Sequence, residues 1–139
     1  ESALKMGETI HIPSCCYEIE EYIHGPNLQL TPQYNVIFFD GNDGASRRVE
    51  QVYKATRKVT NRAYLISNNP QLSRDGHVLS LSDTVSSELC PLVYLPFVQL
   101  LSFIISNDLH SIYQHPLLKE FKAIAAAKTE NFVNYDGDD

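Results

Sequence analysis

The stretch from Asn35 to Ser67 alternates between strand-like and helix-like patterns, and this order constrains the fold most. Asn35–Asp40 reads as a continuous apolar run, as expected for a strand covered on both faces of a parallel sheet. The following helix is predicted over about 45–59, and Arg62–Ser67 and Val78–Leu81 are predicted strands. The helix would bury one stripe, formed by Val49, Val52, Tyr53 and Thr56. Such βαβ units predict an α/β fold, a three-layer α-β-α, Rossmann-like (flavodoxin-like) arrangement with a mostly parallel sheet.

The turn Gly41-Asn42-Asp43-Gly44 follows the first of these strands, at the edge where ligands sit in open α/β sheets. It lacks the glycine fingerprints of dinucleotide and P-loop sites, so neither ligand is expected. Two interpretations stay open, a plain βα turn and the edge of a pocket.

Before the first apolar run, two shorter elements are predicted. Thr9–Ile12 is a candidate strand, which Pro13 would end. Tyr17–Ile23 is a candidate helix, which His24-Gly25-Pro26 would end.

Composition places the chain among globular proteins, with 43% hydrophobic and 20% charged residues in 139. The net charge is −6 and no basic cluster occurs, which argues against nucleic acid and against an anionic membrane as partners. Any phosphate site must therefore be local. No signal peptide is visible in this sequence. A cytoplasmic location is expected, because the cysteine content fits reduced cytosolic thiols.

The three cysteines are Cys15, Cys16 and Cys90. An odd number with two adjacent is a poor disulfide framework and fits reduced thiols. Adjacent cysteines also lack the spacing of zinc ligands, and nothing in the sequence marks a catalytic thiol, so no metal is expected.

Cys90–Asn107 is the most hydrophobic stretch and approaches the length of a membrane span. Pro91, Pro96, Gln99 and two serines interrupt it, and no basic residues flank it. A buried helix beginning near Pro96 is predicted instead.

Four ionisable residues near the start are candidates for chemistry. On a helix, Glu1, Lys5 and Glu8 would lie at roughly 0°, 40° and −20° around the axis and share one face. His24 would lie where a second helix ends. A carboxylate and a histidine form the usual pair for proton transfer near neutral pH. The alternative is structural: a solvated Glu-Lys face and a histidine at a helix C-terminus.

Two blocks in this region resemble the sugar isomerase (SIS) domain family. Glu1-Ser2-Ala3-Leu4-Lys5-Met6-Gly7-Glu8 and Glu20-Glu21-Tyr22-Ile23-His24-Gly25-Pro26 match its motifs in order and spacing. Further matches are Leu89–Tyr94 and Pro96–Leu101, so the resemblance runs from Glu1 to about Asn107. The most similar members are the isomerase domain of glucosamine-fructose-6-phosphate aminotransferase and the fructosamine-6-phosphate deglycases.

The resemblance implies roles for the four residues. Glu8 would be the base that moves a proton between C1 and C2 of a 6-phosphorylated (amino) sugar. His24, supplied by the neighbouring subunit of a homodimer, would open the sugar ring. Lys5 would hold the enediolate charge or fix Glu8, and Glu1 would be a substrate-binding residue with a supporting, orienting role. No cofactor is implied.

The resemblance also implies that residues 1–128 are only the C-terminal part of an SIS domain, followed by an acidic tail over 129–139. The family's serine-rich phosphate turn would precede Glu1. The family's C-terminal substrate lysine is not matched, since Phe121 stands at its position and Lys119 and Lys122 are only possible substitutes. Amino transfer is therefore less expected than isomerisation or deglycation.

Two further function classes stay open. SIS folds also serve as sugar-phosphate sensors, in which no proton shuttle is needed. The chain could also act as a dimerisation module, which the apolar stretch Leu92–Ile105 favours.

Overall fold

Three short parallel strands form the centre of the fold. The computed structural model describes residues 1–81, 85–110 and 124. In chain order its elements are α1 (Ser2–Ile10), α2 (Ile19–Ile23), β1 (Val36–Phe39), α3 (Ser46–Thr56), β2 (Ala63–Ser67), β3 (Val78–Ser80) and α4 (Cys90–Leu109), with 3₁₀ turns at Pro26–Gln29 and Pro70–Leu72.

The sheet order is β1-β2-β3, and both strand pairs are parallel. Val36 lies opposite Ala63 and Phe39 opposite Ile66, while Ser67 lies opposite Ser80. Because parallel neighbours need a crossover connection, α3 connects the end of β1 to the start of β2 and packs on one face of the sheet. The predicted α/β class and parallel sheet are confirmed.

The two faces of the sheet carry separate apolar clusters. On one face Phe38, Ala63 and Leu65 pack with α3, and the α2 residues Ile19, Tyr22 and Ile23 cover them. On the other face Ile37, Phe39 and Ile66 pack with the first half of α4. Successive strand residues point to opposite faces, so these alternating positions produce the predicted three layers.

Helix α3 is the element that the sequence predicts best. Its predicted core stripe, Val49, Val52, Tyr53 and Thr56, is buried throughout. Spacings of three and four residues place these side chains on one face, so the helical period alone identifies them.

The predicted strand at Thr9–Ile12 is wrong, because α1 continues through Ile10. His11 ends the helix in the left-handed conformation, at φ 60°. Thr9 Oγ1 donates to the Lys5 carbonyl oxygen, 2.6 Å away, and Ile10 is buried. Packing of α1 against α4 therefore overrides the strand propensity of these β-branched residues.

Helix α4 begins at Cys90, six residues before the predicted start at Pro96. Pro91 occupies the first turn, where its missing N–H costs nothing, and Pro96 lies inside the helix. The helix is also less buried than predicted. Cys90, Tyr94, Val98, Ser102 and Ser106 form its buried stripe, whereas Leu92, Leu100, Phe103 and Ile104 are exposed.

By length and composition alone, α4 could also cross a membrane. It has 20 residues, its most apolar window has a mean hydropathy of 1.5, and 28% of that window is buried. The expectation that the chain has no membrane partner therefore stays a prediction.

Several sequence expectations fall on residues outside those that the structure describes. They concern the acidic tail over 129–139, its boundary at 128, and the residues Lys119, Phe121 and Lys122.

Candidate functional site

Helix α1 brings three of the four candidate residues together. Lys5 Nζ lies 2.9 Å from Glu8 Oε2 and 3.8 Å from Glu1 Oε1. Glu1 is the N-cap residue of the helix, and the spacings of four and seven residues place all three side chains on one face, as predicted. We refer to Glu1, Lys5 and Glu8 as the α1 cluster.

The α1 cluster faces solvent in this chain. The Glu8 side chain is 49% exposed, so the residues that the structure describes do not supply the burial that tunes a carboxylate base. The hydrogen bond to Glu8, followed by the charge of the same carboxylate, raises the pKa of Lys5 above its usual value. Lys5 is therefore a permanent cation near neutral pH, able to hold a developing negative charge.

His24 lies at the C-terminal end of α2, as predicted. The start of this short helix is fixed by a capping box, in which Glu18 accepts from the Glu21 N–H and Glu21 accepts from the Glu18 N–H. Predicted to begin at Tyr17, the helix instead begins at Ile19, because Glu18 takes the cap position.

The ring of His24 is held by the main chain. Its Nδ1 lies 2.6 Å from the carbonyl oxygen of Glu20. A carbonyl oxygen can only accept, so Nδ1 carries the proton and donates it to Glu20. In the neutral ring, Nε2 is then the atom that takes up a proton. The ring is exposed, and the next 3₁₀ turn presents Leu28, also exposed.

The structure holds His24 and the α1 cluster on different sides of the sheet. Helix α1 packs on α4, with Ser102 Oγ 3.5 Å from Met6 Sδ. Helix α2 packs on α3, where Arg48 Nε lies 2.9 Å from Glu20 Oε1. Among the described residues no hydrogen bond or ion pair joins His24 to Glu8. The four candidates therefore form two separate groups within one chain.

A cleft of about 330 Å³ lies between α2 and α3, lined by residues that include Ile23, Asn27, Arg48 and Thr56. The buried Oδ1 atom of Asn27, at its wall, has no hydrogen-bond partner in the described part of the chain. None of the four candidate residues lines this cleft, so it does not form the predicted site.

A polar network at the carboxyl ends of β1 and β2 was not predicted. Asp40, 8% exposed, accepts from the Ser46 hydroxyl (2.5 Å) and the Asn42 N–H (3.0 Å) through Oδ1. Its Oδ2 accepts from the Ser67 hydroxyl at 2.7 Å. Asn42, in the left-handed conformation at φ 52°, donates through Nδ2 to the Val85 carbonyl oxygen at 2.7 Å.

Tyr94 of α4 completes this network. Its hydroxyl lies 2.7 Å from the Asp40 carbonyl oxygen and 2.5 Å from Asn68 Oδ1. Burial, with the hydrogen bond to Cys90 as the second cause, raises the pKa of Tyr94. An aspartate directly after an apolar run was the only sequence signal for this network. The polar groups of the network are hydrogen-bonded to one another, which supports the interpretation of 41–44 as a plain βα turn.

No metal centre is found in the described ranges, since no three His, Cys, Asp or Glu side chains lie together as ligands there.

Comparison with known proteins bears on the fold. No family model matches the chain. No curated protein matches it either. Among solved structures, the chain is similar to the crystal structure of a protein from Clostridium difficile 630 assigned as a phosphosugar isomerase, with a TM-score of 0.77 and 22% sequence identity. The match covers 94% of this chain and 36% of that one, so the chain spans about a third of the similar structure. The chain therefore has the α/β fold of part of a phosphosugar isomerase-like structure.

Proposed function

We propose that the chain is the C-terminal part of an SIS domain in an enzyme that moves a proton between C1 and C2 of a 6-phosphorylated sugar or amino sugar. The observation that carries this proposal is the α1 cluster, a carboxylate and an ammonium paired at 2.9 Å on a helix of a phosphosugar isomerase-like fold.

Glu8 is proposed as the base. Its carboxylate takes the C2 proton of the open-chain aldose, and the C–H electron pair forms the C1=C2 bond of an enediolate. The proton returns at C1, while the proton on O2 is transferred to O1. The reaction is an internal redox change of the sugar and requires no cofactor.

Lys5 and Glu1 support this step in the proposal. The Lys5 ammonium is a fixed cation, and the enediolate oxygens carry the charge that develops during proton transfer. Glu1, at 3.8 Å, shares the same ammonium and orients it. The burial that Glu8 lacks in the isolated chain is supplied by the bound sugar and by a partner surface.

His24 is proposed to open the sugar ring. Because Nδ1 donates to the Glu20 carbonyl oxygen, Nε2 takes a proton from the anomeric hydroxyl and delivers it to the ring oxygen. The separation of His24 from the α1 cluster favours two chains at one site, with His24 of one copy acting beside Glu8 of the other.

A homodimer of this kind needs an interface, and α4 offers one. Leu92, Leu100, Phe103 and Ile104 form an exposed stripe, which we call the α4 apolar face. A helix that is apolar on all sides is normally covered on all sides. We propose that a second copy of the chain covers the α4 apolar face.

Isomerisation and deglycation use the same groups. In a deglycase, Glu8 and His24 rearrange a 6-phosphorylated fructosamine, and water then hydrolyses the resulting imine and releases the amine.

The sugar-phosphate cradle is proposed to lie in the part of the domain that precedes Glu1. A cytoplasmic location is proposed with this function.

Deuterium exchange tests the proposal. The full-length protein that carries this chain is placed in D2O with 6-phosphorylated aldoses, ketoses and fructosamines, and deuterium at C1 and C2 is followed by NMR. We expect exchange in the wild type and a loss on the order of 10²–10⁴-fold in Glu8→Gln. The substrate that is accepted separates isomerase from deglycase.

Glu50→Gln is the matched control, because Glu50 forms the same kind of surface ion pair with Lys54 on α3. It is expected to retain wild-type exchange. No deuterium exchange with any sugar phosphate that measurably binds would overturn the proposed enzyme activity and indicate a sensor.

A further inference from the structure

The cleft between α2 and α3 has an apolar floor, and the proposed mechanism uses none of the residues that line it. Its volume is about 330 Å³, within the range in which proteins bind small molecules. Ile23 and Leu30 line one side, and Val52, Ala55 and Val59 line the other. The floor therefore matches a ligand with an apolar group of a few carbon atoms.

A pair of opposite charges accompanies this cleft. Arg48 lines it, and Arg48 Nε lies 2.9 Å from Glu20 Oε1. The Nη1 and Nη2 atoms of Arg48 donate to no residue in the part of the chain that the structure describes, so the guanidinium keeps two donors for a carboxylate. Because the Arg48–Glu20 pair has no net charge, a zwitterion suits it better than an anion or a cation alone.

The wall of the cleft also contains an acceptor that lacks a donor. Asn27 lines the cleft, and its buried Oδ1 atom accepts no hydrogen bond from the described residues. A buried acceptor without a partner costs free energy, and most buried polar atoms in native proteins are hydrogen-bonded. The cleft therefore favours a ligand that brings its own hydrogen-bond donor.

We propose that this cleft binds a free α-amino acid with an apolar side chain, of the leucine type. Its carboxylate accepts from Arg48 Nη1 and Nη2. Its ammonium donates to the Glu20 carboxylate and, once the Asn27 amide has rotated, to Asn27 Oδ1. The two charged groups of an amino acid are bonded to one carbon atom, so they lie close together, as the charges of Arg48 and Glu20 do. The apolar side chain packs against Val52 and Val59.

The position of the cleft gives the ligand a regulatory consequence that rests on the proposed function. Ile23 and Asn27 line the cleft and lie on either side of His24 in the sequence. A ligand bound to Glu20, Asn27 and Arg48 connects this turn to α3 and restricts its motion. We therefore expect the ligand to hold His24 in place and to raise proton exchange on the sugar on the order of fivefold.

Equilibrium dialysis with isotope-labelled leucine tests the site without reference to activity. We expect the full-length protein that carries this chain to bind leucine saturably. Arg48→Gln should weaken binding on the order of tenfold or more, because the ligand carboxylate loses charged hydrogen-bond donors. Arg47→Gln is the matched control, since Arg47 is an exposed arginine of the same helix that does not line the cleft, and it should bind leucine as the wild type does.

A second variant and two leucine analogues make the test independent of the ion pair. Ala55→Phe retains Arg48 and Glu20 but fills the cleft with a ring at an exposed helical position, so it should fold and yet lose leucine binding. Leucinol lacks the carboxylate and isocaproate lacks the ammonium. Each analogue should compete with labelled leucine on the order of tenfold more weakly than leucine itself.

The site is overturned by any of four results: no saturable leucine binding, undiminished binding by Arg48→Gln or Ala55→Phe, equal loss in Arg47→Gln, or analogues that compete as well as leucine. Deuterium exchange with and without leucine tests the consequence separately. Exchange that saturating leucine leaves unchanged or lowers would overturn the regulation alone. A protein with no exchange under any condition would overturn the proposed function and leave the binding result standing.

Discussion

The Tyr94 hydroxyl lies 2.7 Å from the carbonyl oxygen of Asp40, although 54 residues separate the two in the chain. This contact attaches the first half of α4 to the end of β1, where the same Asp40 side chain also bonds Ser46 and Ser67. One helix, two strands and the turn into α3 thus meet around a single carboxylate.

We predict that Tyr94→Phe lowers the free energy of unfolding by about 1–2 kcal/mol, because the Asp40 and Asn68 oxygens lose a buried donor. Urea denaturation followed by circular dichroism measures this. Tyr17→Phe, at an exposed tyrosine outside the network, is the control and should change the free energy by no more than about 0.5 kcal/mol. Equal stability of Tyr94→Phe and wild type would show that the contact contributes nothing.

Alkaline pH is predicted to weaken the fold through Tyr53. Its ring is 1% exposed, and its hydroxyl donates to Asp75 Oδ2 at 2.8 Å. Burial first, and that hydrogen bond second, raise the pKa of Tyr53 from 10.0 to about 12. The folded state binds the phenol proton more tightly, so this contribution is complete below pH 10 and is lost as the pH rises through 12.

Unfolding free energies measured from pH 8 to pH 12 check this, with Tyr53→Phe as the comparison. The variant loses the hydrogen bond to Asp75, about 1 kcal/mol at neutral pH. It should also lose part of the alkaline slope, so the two curves converge as the pH rises. Parallel curves would contradict the assignment to Tyr53.

If each active site contains residues from two copies of the chain, mixing two inactive variants should restore activity. Glu8→Gln and His24→Ala homodimers are each inactive if one site needs Glu8 of one chain and His24 of the other. A mixed dimer has one site with both residues intact, so equal mixing and re-equilibration should restore about a quarter of wild-type exchange. Deuterium exchange measures it, and a mixture that stays inactive would place both residues in the site of one chain.

The α4 apolar face is predicted to hold the dimer together. Phe103 is 63% exposed in the isolated chain and lies on this face with Leu100. Phe103→Glu should raise the dimer dissociation constant on the order of thirtyfold or more, because a charge replaces a buried aromatic anchor. Sedimentation equilibrium of the full-length protein measures the constant.

Val59→Glu is the matched control for this experiment. Val59 is also an exposed apolar residue, but it follows α3 on the other side of the sheet. We expect its dissociation constant to equal that of the wild type. Unchanged dimerisation in Phe103→Glu would place the interface elsewhere.

Patterns within short stretches of the sequence predicted helix α3, strands β1 and β2, and the shared face of the α1 cluster. The stripe of Val49, Val52 and Tyr53 follows from helical spacing, and the strands Val36–Phe39 and Ala63–Ser67 follow from continuous apolar runs. The shared face of Glu1, Lys5 and Glu8 follows in the same way, because the pairs lie within two turns of one helix.

The errors and omissions come from contacts between distant segments. Ile10 is helical because α4, some ninety residues later, covers it, and no local rule includes that contact. The Asp40 network was missed because Ser67 is 27 and Tyr94 54 residues away. The exposure of Phe103 depends on which surfaces meet α4, which composition does not specify.

The hydrogen bond from His24 Nδ1 to the Glu20 carbonyl oxygen limits how amino-acid substitutions can change the chemistry of the ring. The acceptor is a main-chain oxygen, so every residue type at position 20 supplies it. The tautomer of His24 is therefore set by the backbone of the last turn of α2 and not by a neighbouring side chain. Substitutions around His24 can therefore change its surroundings while Nε2 remains the reactive nitrogen, provided that this turn of α2 stays helical.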